Sequence, residues 1–429
     1  MSATVGEMQP PWPARALGEL IQRPDYGVTA SATDSPGLPK FLRITDIQDN
    51  RVRWPDVPNC QLPSGEERKE LRDGDVVVAR IGATTGKAYL VKDCPPNAVF
   101  ASYLIRLRPH RDLLDPGFLA HFMSSDDYWE HINKHKDDRL KGGVNIPVLS
   151  ALTIPTPGIA EQKIIAQALD LITSAIVVET NAAHTALALK HATMKRLFTS
   201  GLRGETLKDT DIGPLPESWV VEEIGRVARR VQYGLSVRGE ASGRTPILRM
   251  NCQDDGKVVM RDLQFVDLDN NLEEDFVLQP GDILFNRTNS IEHVGRTALF
   301  DHDVRAVFAS YLIRVTVDAD ICDPRFLNYF MNDPRTQHEI KTLASRAVGQ
   351  ANINGTKLKG VRFPRAPIDE QREIVAILDA IDRTITLYKE KRIVLEALYK
   401  SLLQKLMTGE VRVDDLNLDA LASPKPEAA

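Results

Sequence analysis

The sequence predicts an α+β protein: two pseudo-repeated α/β globules joined by two long coiled-coil helices. Three observations predict it. The octapeptide Val99-Phe100-Ala101-Ser102-Tyr103-Leu104-Ile105-Arg106 returns unchanged as Val307-Phe308-Ala309-Ser310-Tyr311-Leu312-Ile313-Arg314. Shorter motifs flank both copies in the same order. Each copy then closes on a stretch without proline or glycine whose apolar residues keep heptad spacing.

In chain order, Trp12, Leu17 and Gly18 match Trp219, Ile224 and Gly225, and Tyr26-Gly27 matches Tyr233-Gly234. Leu42-Arg43 matches Leu248-Arg249, and Asp73 to Arg80 matches Pro280 to Arg287. After the octapeptide, Asp115-Pro116-Gly117-Phe118-Leu119 matches Asp323-Pro324-Arg325-Phe326-Leu327. Gly142 and Asn145-Ile146 then match Gly349 and Asn352-Ile353. Gly74-Asp75 reads as a turn entering a strand at Val76 to Ala79, and Tyr103 to Leu107 as a half-buried strand. Pro116 suits the first turn of a helix over Phe118 to Ser124, where a missing amide proton costs little.

The closing stretches run from Glu161 to Thr199 and from Glu370 to Thr408. The seam is Ile165, Leu169, Ile172, Ile176, Ala183, Ala186 and Leu197 in the first. In the second it is Ile374, Leu378, Ile381, Ile385, Tyr388, Leu395, Tyr399, Leu402 and Leu406. Two unburied stripes of equal length most simply cover each other, in rods of roughly 58 Å. Asp369, after Pro367, is the expected N-cap of the second. The expected divisions are a globule over 1–158, a helix over 159–203, a linker and second globule over 204–367, and a helix over 368–413. A disordered tail is expected over 414–429, and Gly204 to Ser218 reads as the linker.

Composition is that of an ordinary globular chain, with 42% hydrophobic and 26% charged residues among 429. No uninterrupted run of 18 apolar residues occurs, so no membrane span is expected, and Met1 to Arg15 lack the pattern of a signal peptide. Cys60, Cys94, Cys252 and Cys322 are widely spaced, against a zinc or disulfide framework and in keeping with a cytoplasmic protein. The net charge of -5 means that any DNA-binding face is a local patch or is completed by a basic partner.

The order of these parts resembles the DNA specificity subunit of type I restriction-modification systems. The motifs that carry the resemblance are Pro280-Gly281-Asp282-Ile283-Leu284-Phe285 with Arg287, Gly349-Gln350-Ala351-Asn352-Ile353, and Glu370-Gln371, repeated as Glu161-Gln162. It covers residues 12 to 413. The first copy departs in having Gly143 where the second has Gln350. Thr153-Ile154-Pro155 also lies two residues closer to Asn145 than its counterpart does to Asn352. The resemblance implies a non-catalytic subunit whose globules are target recognition domains, each reading one block of a bipartite double-stranded DNA target. The helices would pack antiparallel, set the spacing and dock two adenine methyltransferase subunits, joined by motor-nuclease subunits for cleavage. It implies no cofactor on this chain; S-adenosylmethionine, ATP and magnesium would sit on the partners.

Residues identical in both copies cannot by themselves read two different sequences, so readers are expected where the copies diverge. These places are Thr45 to Glu70 against Cys252 to Glu274, Ile81 to Lys87 against Thr288 to Arg296, and His131 to Gly143 against His338 to Gln350. Candidate DNA contacts in the first copy are Lys87 and the basic loop of Lys134, Lys136, Arg139 and Lys141, followed by Asn145. In the second they are Asn289, Arg296, Lys341, Arg346, Gln350 and Asn352. Basic groups beside glycine suit phosphate contact, and Gln350 could bridge an adenine. The loop reads equally as a solvated charge run. The repeated Arg43, Arg80, Arg249 and Arg287 are candidates too. For Arg80 and Arg287, like Tyr103 and Tyr311, a scaffold role is favoured, since tyrosines in strands usually pack.

Several motifs suggest other chemistry. Gly82 to Lys87 imitates a phosphate loop with one residue too few, and Ala88 stands where a magnesium ligand belongs. Asp56, Glu67 and Lys69 have the loose spacing of a magnesium nuclease, which gives an enzymatic alternative. Asp93-Cys94-Pro95-Pro96-Asn97 lacks the aromatic residue of an amino-methyltransferase loop. His121, His131 and His135 lack metal-site spacing and read as surface or helix histidines. A third reading is a coiled-coil scaffold with protein-binding globules.

Overall fold

The computed structural model describes residues 12–48, 50–62, 65, 68–135, 143–347 and 349–416. The chain is mixed α+β, with two α/β regions and two long helices, Ile159–Ser200 and Ile368–Thr408. It divides into two compact units, one of 1–180 with 390–429 and one of 181–389. Each long helix gives one end to each unit. At ~1.5 Å per residue each is a rod of roughly 60 Å.

In the first unit a four-stranded antiparallel sheet runs in the order Asp25–Tyr26, Leu104–Leu107, Val76–Ala79, Ala88–Leu90. Val76 and Val78 face a core that contains Ile105, Leu107, Phe118 and Phe122. Val77 and Ala79 face a second, with Leu42, Tyr89, Phe100 and Leu104. The strand at Leu104 is therefore covered on both sides, not half-buried as its alternation suggests. Only Arg106 breaks its apolar run, and its guanidinium bonds Asp25 at 2.8 Å. Each fully buried Val, Leu or Ile here contributes roughly 1.5–3 kcal/mol relative to exposure.

The second unit repeats the order as Ala228–Tyr233, Leu312–Val317, Ile283–Asn286, Thr297–Leu299, then adds Lys257–Val258 and Gln253–Asp254. In both units the octapeptide crosses from a parallel pair into the central strand. Val99 and Phe100 pair with Phe41 and Leu42, and Val307 and Phe308 with Ile247 and Leu248. The terminal arginine of each copy then folds back over its own phenylalanine ring, at 5.4 Å in Arg106 and 5.3 Å in Arg314. The repeated Tyr-Gly follows from the same crossing. A Cβ on Gly27 would come within 2.1 Å of the Phe100 carbonyl oxygen, and one on Gly234 within 2.3 Å of that of Ala309.

The repeated Glu-Gln also has a physical reason. Gln162 and Gln371 are buried at the start of the long helices. The Gln162 carbonyl accepts from the Asp115 amide at 2.8 Å, and its amide donates to the Leu113 and Pro157 carbonyls. Gln371 does the same with Asp323, Ile321 and Ala366. One side chain thus satisfies three backbone groups where each globule meets its helix. Glu370 adds bonds to the Leu202 amide at 2.6 Å and the Trp219 indole at 2.9 Å.

Within each unit the long helices pack together with opposite directions. Ile165 and Leu169 share a core with Leu403 and Leu406 in the first unit, and Leu197 and Phe198 one with Ile374 and Leu378 in the second. By length and composition alone Ile159–Ser200 is apolar enough to cross a membrane, with mean hydropathy 1.3 over 18 residues, 28% of them buried. Between the packed ends the seam residues Ile176, Ala183, Ala186, Tyr388 and Leu395 are half-buried, and Leu387, Ile393 and Val394, which lie off the seam, are exposed.

Four local expectations change. Asp369 lies inside the first turn of its helix, where its charge favours the amide end, and does not cap it. The linker stretch holds an antiparallel hairpin, Leu207–Thr210 with Gly213–Pro216. Of the expected tail, Val413–Asp415 forms a 3-10 turn and Leu416 packs on the first core, while 417–429 lie outside the described residues.

The fourth is the match of Asn145 with Asn352. Asn145 caps Ile146–Ser150 through the Val148 amide, whereas Asn354 caps Gly355–Lys359 through that of Lys357. The Ile146 and Gly355 amides donate to the equivalent Tyr26 and Tyr233 hydroxyls. Asn145 therefore corresponds to Asn354, two residues later. The apparent two-residue shortening before Thr153 disappears with that shift.

Candidate nucleic-acid interface

The repeated arginines are held by their own units. Arg80 lies 4.6 Å over the Tyr26 ring and Arg287 4.8 Å over Tyr233. Their Nη1 atoms donate to the Ser102 carbonyl at 3.5 Å and the Ser310 carbonyl at 3.2 Å. Their backbone carbonyls receive the Val144 and Ile353 amides at 2.9 Å. Arg43 is bound to Asp46 through Nε at 3.1 Å and Nη2 at 2.8 Å, a hydrogen bond that raises the guanidinium pKa. Arg249 donates to the Asp262 carbonyl at 2.8 Å. These four build turns and strand ends, as their identity in both copies suggests.

Four of the six candidates of the second copy come together on one small sheet. Thr288–Asn289 pairs with Gln350–Asn352, which pairs with Ser345–Ala347. Asn289, Gln350, Asn352 and the backbone of Arg346 thus belong to three adjacent strands. Gln350 is exposed. Asn352 is pinned by the Thr288 hydroxyl at 2.6 Å, and Asn289 accepts the Ser290 amide at 2.8 Å. Asn289 and Arg296 line a surface cavity of about 490 Å³ with Met250, Asn251, Gln253, Arg261 and His293. Arg296 and Lys341 line its neighbour.

Asn251, Gln253, Arg261 and His293 were not nominated from the sequence, although three of the four lie in the divergent segments. At the floor, the Gln253 amide donates to the Leu284 carbonyl at 2.7 Å, and its carbonyl accepts from Asn286 at 3.1 Å. The same positions in the first unit are Ile47 and Ala79, both part of an apolar cluster. The two units therefore present chemically different surfaces on the same strand order.

In the first unit the candidates are less gathered. Lys87 is exposed, and Lys134 is exposed at the end of Asp126–Lys134, where a cation complements the helix dipole. Asn145 spends its carbonyl on a helix cap. Lys136, Arg139 and Lys141 lie outside the described residues, and of Arg346 only the backbone is described.

The alternative motifs lose their chemistry. In the loop of Gly82 to Lys87, the Thr85, Gly86 and Lys87 amides donate to the Gly82, Ala79 and Thr84 carbonyls, so they do not cradle a phosphate. The Lys69 ammonium is spent on the Tyr26 carbonyl at 2.6 Å and Asp56 faces Arg53 at 3.2 Å, while Glu67 lies outside the described residues. Among the described residues no group of three or more His, Cys, Asp or Glu could hold a metal ion. His131 bonds the Val148 carbonyl, and His121 is buried between a carboxylate and a tyrosine.

Comparison with known proteins follows the same lines. The type I restriction modification DNA specificity domain family matches residues 216–397. The chain is similar to the StySPI type I restriction enzyme specificity subunit of Salmonella potsdam. They are 26% identical over 396 residues, 86% of this chain and 82% of that one. Identity to the EcoKI specificity subunit of Escherichia coli strain K12 is 26% over 401 residues, with the same coverage. A putative MjaX specificity subunit of Methanocaldococcus jannaschii is 30% identical over 210 residues, and there the chain spans about half, 49%, of the relative's length. The fold matches the type I system S subunit of M. genitalium with a TM-score of 0.58 at 14% identity, covering 95% of this chain and 98% of that one. It also matches a chain from a structure of type I R-M complex assembly, with a TM-score of 0.56 at 20% identity, covering 94% and 100%.

Proposed function

Because the chain belongs to the family of DNA specificity subunits of type I restriction-modification enzymes, of which it is a non-catalytic part, we propose that each of its units reads one block of a split double-stranded DNA target. The observation that carries the reading is one strand order used twice with different surfaces upon it. A shared scaffold places two readers alike, and divergent loops give them different base preferences.

In this reading Gln350, Asn289, Arg296 and Lys341 contact the block read by the second unit. Gln and Asn suit the edge of adenine, Arg that of guanine, and Lys the phosphates. Lys87 and the basic loop from Lys134 to Lys141 serve the first unit. The paired long helices, each roughly 60 Å against ~34 Å per DNA turn, set the spacing between blocks. They also dock two adenine methyltransferase subunits, which carry S-adenosylmethionine, and the motor-nuclease subunits that use ATP and magnesium join for cleavage.

The test is a module exchange. Residues 12–158 are replaced by the equivalent segment of a relative, and the complex with the methyltransferase is mapped for methylated sites. The expected result is a target with one block changed and the other kept. A change in both blocks overturns the modular reading.

A further inference from the structure

Two polar nodes, each built around a buried side chain, occupy equivalent places in the two units, and in the first the carboxylate partner Asp170 is 46% exposed. In the first, His121 donates through Nε2 to the Asp170 carboxylate at 2.9 Å and bonds the Tyr399 hydroxyl through Nδ1 at 3.0 Å. In the second, the Tyr329 hydroxyl lies 2.7 Å from both Asp379 and Asp382, and the Lys190 ammonium 2.6 Å from Asp382.

Aligning the repeats on Asp115 and Asp323 places His121 opposite Tyr329. Aligning the Glu-Gln pairs places Asp170 opposite Asp379, Thr173 opposite Asp382, and Lys190 opposite Tyr399. Each node therefore joins the same three elements: the helix after the octapeptide strand, at Pro116–Phe122 or Pro324–Asn332, and both long helices. Asp170 and Asp379 are kept while the other bridging residues differ chemically, yet the three-way bridge persists.

Such a node fixes orientation better than apolar packing does. A Leu or Met at His121 could fill the space in several ways. A buried hydrogen-bonding group finds its partners in one register only, and a slip of one helical turn strands all of them.

We propose that His121 and Tyr329 are positioning residues that lock each globule at one angle and register on the helix pair, and so set the spacer length that the protein accepts between the two blocks. The proposal rests on the two-block reading above. It assigns to these residues no contact with DNA.

The experiment uses the full chain co-purified with its methyltransferase subunit and synthetic duplexes carrying both mapped blocks. Spacers are native, one or two base pairs longer, and one or two shorter. His121→Ala and Tyr329→Phe are expected to keep the base sequence of both blocks but to compress the native-to-off-spacer rate ratio by at least about tenfold, the scale of one buried hydrogen bond to a charged partner. His121→Tyr restores the ratio, because a tyrosine already bridges to the equivalent carboxylate in the second unit. If His121→Ala does not fold, Tyr329→Phe and His121→Tyr decide the matter. Folded variants with the wild-type spacer ratio overturn the proposal. A wild-type complex that methylates duplexes carrying a single block sinks the two-block reading instead.

Discussion

Lys190 and Asp382 form the most deeply buried ion pair that joins the two long helices. Their side chains are 7% and 8% exposed, with 2.6 Å between Nζ and Oδ1, and the ammonium also lies 5.3 Å over the Tyr329 ring. Lys190→Met keeps the length of the side chain and removes the charge. It leaves the Asp382 carboxylate buried with only the Tyr329 hydroxyl, which Asp379 also claims. Removing one partner of a buried pair costs about 3–5 kcal/mol. For a unit of about 200 residues, ~2–4 °C per kcal/mol makes this a fall of roughly 6–20 °C in Tm. Lys190→Met with Asp382→Leu behaves differently. The apolar pair fills the site without an orphaned charge, Tyr329 keeps Asp379, and stability returns to within about 1 kcal/mol of wild type. Scanning calorimetry with far-UV circular dichroism follows the unit in all four proteins. A single substitution that costs under about 1 kcal/mol, or a double variant worse than either single one, refutes the argument.

Gln371→Ala removes the bonds to Asp323, Ile321 and Ala366 and leaves buried backbone groups bare, so melting should show a loss of about 2–4 kcal/mol; a loss under about 0.5 kcal/mol contradicts the role given to the Glu-Gln motif. Arg287→Ala loses its place over Tyr233 and the Ser310 carbonyl, which lowers stability by about 1–3 kcal/mol and leaves the mapped target unchanged; a changed base would make Arg287 a reader. Gln350→Ala should relax one position of the second unit's block by about 1–3 kcal/mol of discrimination, and methylation mapping that finds the first unit's block altered instead contradicts the assignment. Burial pushes the Asp170 carboxyl up, but the His121 hydrogen bond and charge, with Lys92, leave it below its usual pKa. A depressed carboxylate pKa gives stability that is complete above the unfolded value and lost as pH falls through the folded one. Melting of wild type should therefore lose that increment on acidification below the ordinary carboxylate range. Asp170→Asn should be flatter there, and equal slopes would speak against it.

What could be read beforehand was whatever a local pattern encodes. The octapeptide announced the duplication, and the heptad runs announced both long helices to within a few residues. The failures each needed a partner distant in sequence. The strand at Leu104 looks half-buried until two separate cores are seen to close on it. Asn145 was matched two residues out of place, because short identical words align before the caps and tyrosine hydroxyls that define equivalence are visible. Gln253 and Asn286 become one floor only when their strands bring them together across more than thirty residues of chain.

The same consideration limits the rule used to seek readers. Among residues identical in both copies, Arg80 with Arg287, Gly27 with Gly234, and Gln162 with Gln371 each serve the backbone of their own unit. Divergence does not mark readers in return. His121 and Tyr329 differ, as do Tyr399 and Lys190, yet each set spans the same three elements. Such a node can change most of its members around a kept one, here Asp170 and Asp379, provided that none is left unpaired, since only an unpaired member is costly. Divergence points to a reader only where the changed side chains also reach solvent. By that joint criterion Gln350 and Arg296 remain candidates, whereas Asn286, buried beneath the same cavity, supports the surface without belonging to it.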